Sequence, residues 1–291
     1  MASTGGSGLG RRAVLGLAAL AAVLAAFVGI GASASLALAG PPAVFEGRPT
    51  LVIVYETTPN PPRHLGGGTA IDWDRPGLTV ELLKRVGERL RVNLSFKRVP
   101  WKRGLLMLET GEADGIFHAS YVASRESIGV YPKTAAGQPD ETRALFSQSY
   151  SLFVTRGSKV TWDGTAIDGL GGQPVGATDG YSVIKDLERL GVAVEPGRVP
   201  ALNLAKLVQG RLAAYAELEN LASEIIRRDP VQFASVVKLE PPLVTKPYYL
   251  LLSRQFVMRD PGLANAVWGA IPEVRASREF RELEALYTDG S

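Results

Sequence analysis

Eight polar or aromatic side chains stand at or just beyond the ends of expected strands and at the starts of helices, where ligands of open α/β sheets bind. Glu56 directly follows the β-branched run Thr50–Tyr55, TLVIVY. Trp101 opens a helical stretch just after a strand, and His118 and Ser120 close a further strand. Arg125 lies five residues beyond Ser120, Tyr181 and Ser182 begin a helix behind Gly180, and Glu219 follows Glu217 after the strand Leu212–Ala216. The chemistry these residue types offer is recognition. A guanidinium meets a carboxylate through two parallel, charge-assisted hydrogen bonds. Serine hydroxyls and free N–H groups at a helix start add donors for the same anion, and an indole face accepts a cation or a flat side chain. An acid such as Glu56 or Glu219 receives an ammonium group or moves a proton. His118 in a cleft makes binding depend on pH. Each residue also has a plain structural role open to it: a solvated arginine, a core tryptophan, a hydrogen-bonded histidine, a solvated pair of glutamates on a strand edge.

Other chemistries are missing. The 291 residues contain no cysteine, so there is no disulfide framework, thiolate metal site or lipidated cysteine, and two histidines, His64 and His118, are too few for a histidine-rich metal site. No G-x-S-x-G, phosphate loop, G-x-G-x-x-G or H-E-x-x-H occurs, which argues against hydrolase, nucleotidyl and zinc-protease activities, and no cofactor or metal is implied. Hydrophobic residues at 46% and charged residues at 21% fit a globular chain with a sizeable core. The formal charge is +3, of which Arg11 and Arg12 supply two in a segment outside the fold, so the remainder is near neutral and not a nucleic-acid-binding surface.

The elements that must hold these groups alternate between strand and helix. Residues 1–39 come first: Arg11-Arg12, then an uncharged Ala/Leu-rich run from Ala13 to Ala39, as in an export signal. Its small residues fit cleavage after Ala39 by either the Sec or the twin-arginine route, and the alternative is an uncleaved anchor. Strands are expected at Thr50–Tyr55, Val92–Val99 and Ala113–His118, with helices at Val80–Leu90 and Trp101–Thr110, the latter closed by Gly111. Gly129–Thr142 reads as a surface excursion and Leu145–Thr155 as a run crossing between domains. A second block follows: strands Pro174–Ala177, Val192–Glu195, Leu212–Ala216 and Phe233–Leu239, helices Tyr181–Leu190, Ala201–Gln209 and Asn220–Arg228. An apolar run, Pro247–Ser253, and helices Pro261–Ala270 and Ser277–Tyr287 close the chain. Two βαβ-rich blocks imply two α/β lobes with parallel-rich sheets, and ligands of such sheets bind at the strands' C-terminal ends.

In order, these segments resemble the periplasmic solute-binding proteins of the polar amino-acid uptake family, bacterial extracellular solute-binding family 3. The resemblance runs over Pro49–Tyr287. It is carried by Pro61-Pro62 and GLTVELL (Gly77–Leu83), WKRGLLMLETGEAD (Trp101–Asp114), the His118, Ser120, Arg125 set and FSQSY (Phe146–Tyr150). VGATDG (Val175–Gly180), LVQGRLAA (Leu207–Ala214) and PYYL (Pro247–Leu250) complete it. It implies a type II periplasmic binding protein-like fold: two α/β lobes joined by a two-strand hinge, with a ligand cleft between them. Lobe I would be 46–153 plus 245–291 and lobe II 154–244, with the rotation absorbed at Leu152–Thr155 and Thr245–Tyr248. It implies a monomeric, non-enzymatic receptor in the periplasm that hands an amino acid or similar small polar carboxylate to the permease subunits of an ABC importer. Arg125, helped by Ser120, would hold the α-carboxylate, Tyr181 and Ser182 would add N–H donors, and Trp101 would wall the pocket. Glu56, from the end of the first strand, and His118, which stands where the family usually has a small residue, are the remaining candidates for the site. The position that usually receives the α-amino group falls on Leu218, between Glu217 and Glu219, and Glu219 is the favoured substitute. Two other roles fit the same scaffold: a periplasmic dehydratase using His118, Glu56 and Glu219 as acid–base groups, and a sensory clamp reporting to a membrane receptor.

Overall fold

A computed structural model describes residues 40–288 together with Met1. The expected export segment, 1–39, lies outside the described residues apart from Met1. The first lobe is built from β1 (Thr50–Glu56), α1 (Leu78–Leu90), β2 (Asn93–Val99), α2 (Trp101–Thr110), β3 (Gly115–Ser120) and the short β4 (Gly129–Val130). β5 (Phe146–Thr155) leads onward to a small hairpin, β6 (Thr161–Trp162) and β7 (Ile167–Asp168). The second lobe holds β8 (Val175–Thr178), α3 (Val183–Arg189), β9 (Val194–Gly197), α4 (Pro200–Val208), β10 (Ala214–Leu218), α5 (Glu219–Arg228) and β11 (Val236–Lys238). β12 (Val244–Ser253) returns, and α6 (Arg254–Arg259), α7 (Pro261–Arg275) and α8 (Arg278–Thr288) end the chain.

One sheet runs through both lobes in the order β2-β1-β3-β12-β5-β10-β8-β9. Its outer parts are parallel, β2-β1-β3 on one side and β10-β8-β9 on the other. The two centre strands are antiparallel to each other and to their outer neighbours. The crossing is made by Phe146–Tyr150 pairing with Val244–Tyr248. Leu152–Thr155, expected to bend opposite Thr245–Tyr248, already pairs inside the second lobe with β10 and β11.

Burial explains why these segments form. In β1, Leu51, Ile53, Val54 and Tyr55 are all buried, because a parallel strand is covered on both faces. α1 turns Leu82, Leu83 and Val86 onto that sheet, and each fully buried aliphatic side chain contributes about 1.5–3 kcal/mol. A smaller second core gathers Leu204, Leu207, Leu212, Tyr215 and Phe233 around Phe153 of the crossing strand. Phe233 therefore sits in a core ahead of β11 rather than inside a strand. Tyr131 is likewise buried beside β4, so the surface excursion begins later than its composition suggested. α3 starts at Val183, two residues after its expected start, because the Tyr181 N–H closes a turn on the Thr178 carbonyl.

Candidate functional site

The loops at the ends of β1, β3 and β8 meet the crossing strands around one cavity. It is lined by Glu56, Asn60, Trp101, His118, Ser120, Arg125, Tyr150, Tyr181, Ser182, Leu218 and Tyr248. Seven of the eight residues singled out in the sequence are thus brought together. Glu219 is not: it begins α5 on the far side of Leu218, where it accepts from the Ser151 hydroxyl at 2.5 Å and faces the Lys238 ammonium at 3.4 Å. Glu217 turns the other way, into the second lobe. One of its oxygens accepts from Thr178 and Tyr215 and the other from the Leu218 N–H. The strand thus presents only Leu218 to the cavity.

Arg125 is the cavity's cation. Its side chain is 8% exposed, and the 3₁₀ turn Ala123–Ser127 delivers it under Trp101, 5.3 Å from the ring centre. It donates to the carbonyls of Ser120 (2.8 Å) and Gly180 (3.0 Å) and has no acidic partner among the described residues. Two of five N–H donors are spent, and a buried charge without a counter-ion is costly unless something else completes it. Gly180 is held at φ +81, and a Cβ there would approach Trp101 to 3.3 Å, so a larger residue would strain the loop and crowd the indole. Trp101 Nε1 donates to the same Gly180 carbonyl at 3.2 Å.

Opposite, Tyr181 donates its hydroxyl to Glu56 at 2.7 Å. Glu56 keeps some exposed surface, yet its carboxyl is enclosed by protein, and that burial pushes its pKa up to about 7, with Glu217 adding to the rise. The Tyr181 backbone N–H, expected as a ligand donor, is spent in the turn with Thr178, so this residue offers its ring and hydroxyl instead. Ser120 donates to the Ser182 hydroxyl oxygen at 2.7 Å, and the Lys246 ammonium reaches the same oxygen at 3.2 Å.

His118 is delivered by an irregularity in β3. Ile116 faces Leu251 and Ala119 faces Tyr249, so Phe117 and His118 together oppose the single residue Leu250. This bulge puts His118 at φ +68, a conformation rare outside glycine, and re-aims its ring toward the cavity. Its Nε2 lies 2.9 Å from the Thr79 hydroxyl, and its ring packs against His64 and Phe146. Burial, with His64 and Arg63 nearby, drives its pKa well below the usual histidine value, so the imidazole is neutral.

Four lining residues were not anticipated as contacts: Asn60, Tyr150, Leu218 and Tyr248. The two tyrosines had a signal, as polar aromatics in otherwise apolar crossing strands. Asn60 lay hidden in a proline-rich loop. There it joins two other amides, exchanging hydrogen bonds with Gln148 (3.0 and 3.2 Å) and accepting from Asn220. Gln148 also donates to Asn220 at 2.9 Å, and Asn220 to the Pro61 carbonyl at 2.6 Å.

No family model matches the chain, and no curated protein matches it. Solved structures do. An ancestral arginine-binding protein bound to glutamine superposes with TM-score 0.63 at 17% identity, over 83% of this chain and 98% of its own. The arginine-, lysine-, histidine-binding protein ArtJ from Geobacillus stearothermophilus gives 0.63 at 16% identity, over 82% and 95%. A histidine kinase sensor domain with similarity to periplasmic binding proteins gives 0.63 at 16%, over 83% and 96%. At these identities the likeness establishes the bilobal α/β fold.

Proposed function

We propose that this chain is a solute receptor that captures a small polar carboxylate by closing its lobes, as a member of the periplasmic amino-acid-binding group that its sequence motifs resemble. The observation that carries this reading is Arg125: a buried guanidinium with no counter-ion among the described residues, facing a cavity walled by both lobes. A carboxylate placed there supplies the missing charge, and each hydrogen bond between charged partners contributes about 1.5–3 kcal/mol. The cavity is about 20 Å³, room for about one water, so a solute enters by parting the lobes. The expected lobe boundaries, 153/154 and 244/245, shift to the ends of the hinge, since β5 already pairs with β10 and β11 beyond Tyr150. The paired segments Phe146–Tyr150 and Val244–Tyr248 bend, and the bodies that move are 46–145 with 249–291 and 151–243. Arg125, Ser120, Ser182, Trp101, Tyr181, His118 and Glu56 form the binding site. Glu219 is left out of it by its position. The chain acts outside the cytoplasm, exported by residues 1–39, and delivers its solute to the membrane subunits of an ABC importer. No described helix is long and apolar enough to cross a membrane.

The test is calorimetry of the purified chain, stripped of retained solute in denaturant and refolded, against a panel of amino acids and small carboxylates. A binder is expected, with Arg125→Gln weakening it at least tenfold while leaving the melting curve cooperative. Binding unchanged by that substitution overturns the site assignment. A sensory role is the second reading, favoured by the sensor domain of similar fold. Uptake that persists in a deletion strain while the response to the solute is lost would favour it over import.

A further inference from the structure

Building on the receptor reading, we infer that the solute is a small carboxylate with an oxygen, rather than an ammonium group, on the carbon next to the carboxylate. The cavity's stock of donors and acceptors leads to this class. Arg125 is the one cation in its wall and Glu56 the one carboxylate. An ammonium brings a full charge and three N–H donors, and needs oxygens free to accept them. Glu56 spends one oxygen on the Tyr181 hydroxyl and also faces the Thr58 hydroxyl, so it offers less than a free carboxylate. The second lobe's other acids near the wall are engaged elsewhere: Asp179 pairs with Lys102 and Asp186 with Lys246 and Arg189, and the two that flank Leu218 face away. Glu217 is fully buried behind it with both oxygens engaged, and Glu219 lies beyond it against Ser151 and Lys238. What the second lobe offers at that point is Leu218, the one aliphatic side chain in the lining.

One of the remaining polar groups is left to donate. The Ser182 oxygen accepts from Ser120 and from Lys246, so its own proton turns toward the neighbouring Tyr150 hydroxyl. The Tyr248 hydroxyl is fully buried and faces Tyr150 and Ser120 without a well-formed hydrogen bond to either. A guanidinium and the unengaged Tyr248 hydroxyl suit a carboxylate followed by a hydroxyl or carbonyl oxygen. They offer an ammonium no acidic group beyond the partly engaged Glu56, and a polar group desolvated with too few partners loses the corresponding binding energy.

The experiment compares matched pairs by calorimetry on the unmodified chain, refolded as above: glycolate with glycine, L-lactate with L-alanine, malate with L-aspartate, 2-hydroxyglutarate with L-glutamate, and the corresponding 2-oxo acids. The expected result is an oxygen acid bound at least tenfold tighter than its amino counterpart. Leu218→Asp, which places a carboxylate in the wall, is expected to narrow that preference tenfold or reverse it, and Leu218→Asn to do neither. An amino acid bound more tightly than its oxygen partner overturns this inference and leaves the receptor reading standing. A panel in which no compound binds at millimolar concentration overturns both. The comparison within pairs needs no variant, so a poorly folding Leu218→Asp does not protect the inference.

Discussion

Glu217 shows how far a single carboxyl can set the pH response of this chain. Its burial inside the second lobe raises its pKa to about 7, against an ordinary value of 4.5. The folded state therefore favours the protonated form. The stability it contributes is complete below about pH 4.5 and is lost as pH rises through 7. Glu56 has the same sign and the same window. His64 has the opposite sign: burial holds its pKa down to about 3, so its contribution is complete above pH 6.5 and is lost on acidification toward 3. Glu217→Gln keeps the shape and removes the titration. Relative to the parent, this variant is expected to melt at a higher temperature at pH 8 than at pH 4.5, read by thermal unfolding at both values. An offset that does not change with pH contradicts the assignment. Arg125→Lys keeps a charge but loses the planar fork that reaches the Ser120 and Gly180 carbonyls together. It is expected to recover less than a tenth of the parent affinity.

At the scale of elements, the decisive pieces are the start of α1 and the bulge in β3. Gly77 precedes α1 at φ +109, where an added Cβ would stand 2.4 Å from the His64 Cα and 2.6 Å from the Arg63 carbonyl. Those atoms belong to the loop that positions Asn60 and His64. Gly77→Ala is expected to cost on the order of 3 kcal/mol in denaturant unfolding, since both the dihedral and the contact are refused. Such elements explain what could be read from sequence and what could not. α2 was legible end to end, because Pro100 and Gly111 bracket one apolar face. α6 and the two-residue strands β4, β6 and β7 were not, being too short to show a period. The bulge was hidden for another reason: it exists only in the pairing of β3 with β12, two segments far apart in the chain. Arg125, Ser120 and Trp101 could be chosen by type and position. Leu218 could not be assigned a wall position until strand β10 showed which of three consecutive side chains faced inward.

Across the whole molecule, the two lobes share one sheet, so the closure we propose is a bend in a two-strand ribbon rather than a sliding interface. The absence of cysteine makes this measurable. Leu106 on α2 and Leu202 on α4 are exposed, one on each lobe. Spin labels on Leu106→Cys and Leu202→Cys are expected to give a shorter, narrower distance distribution when solute is added, and an unaltered distribution at saturation contradicts hinge closure. The contacts that fasten the lobes differ in kind. Lys102 and Asp179 meet at 2.7 Å, but the lysine is 64% exposed. Dissolved ions screen such a pair over about 10 Å at 0.1 M. The triangle of Asn60, Gln148 and Asn220 carries no formal charge. The amide part of the clasp is thus one that ionic strength hardly touches, and the shut form should outlast screening of the Lys102–Asp179 pair from fresh water to brine.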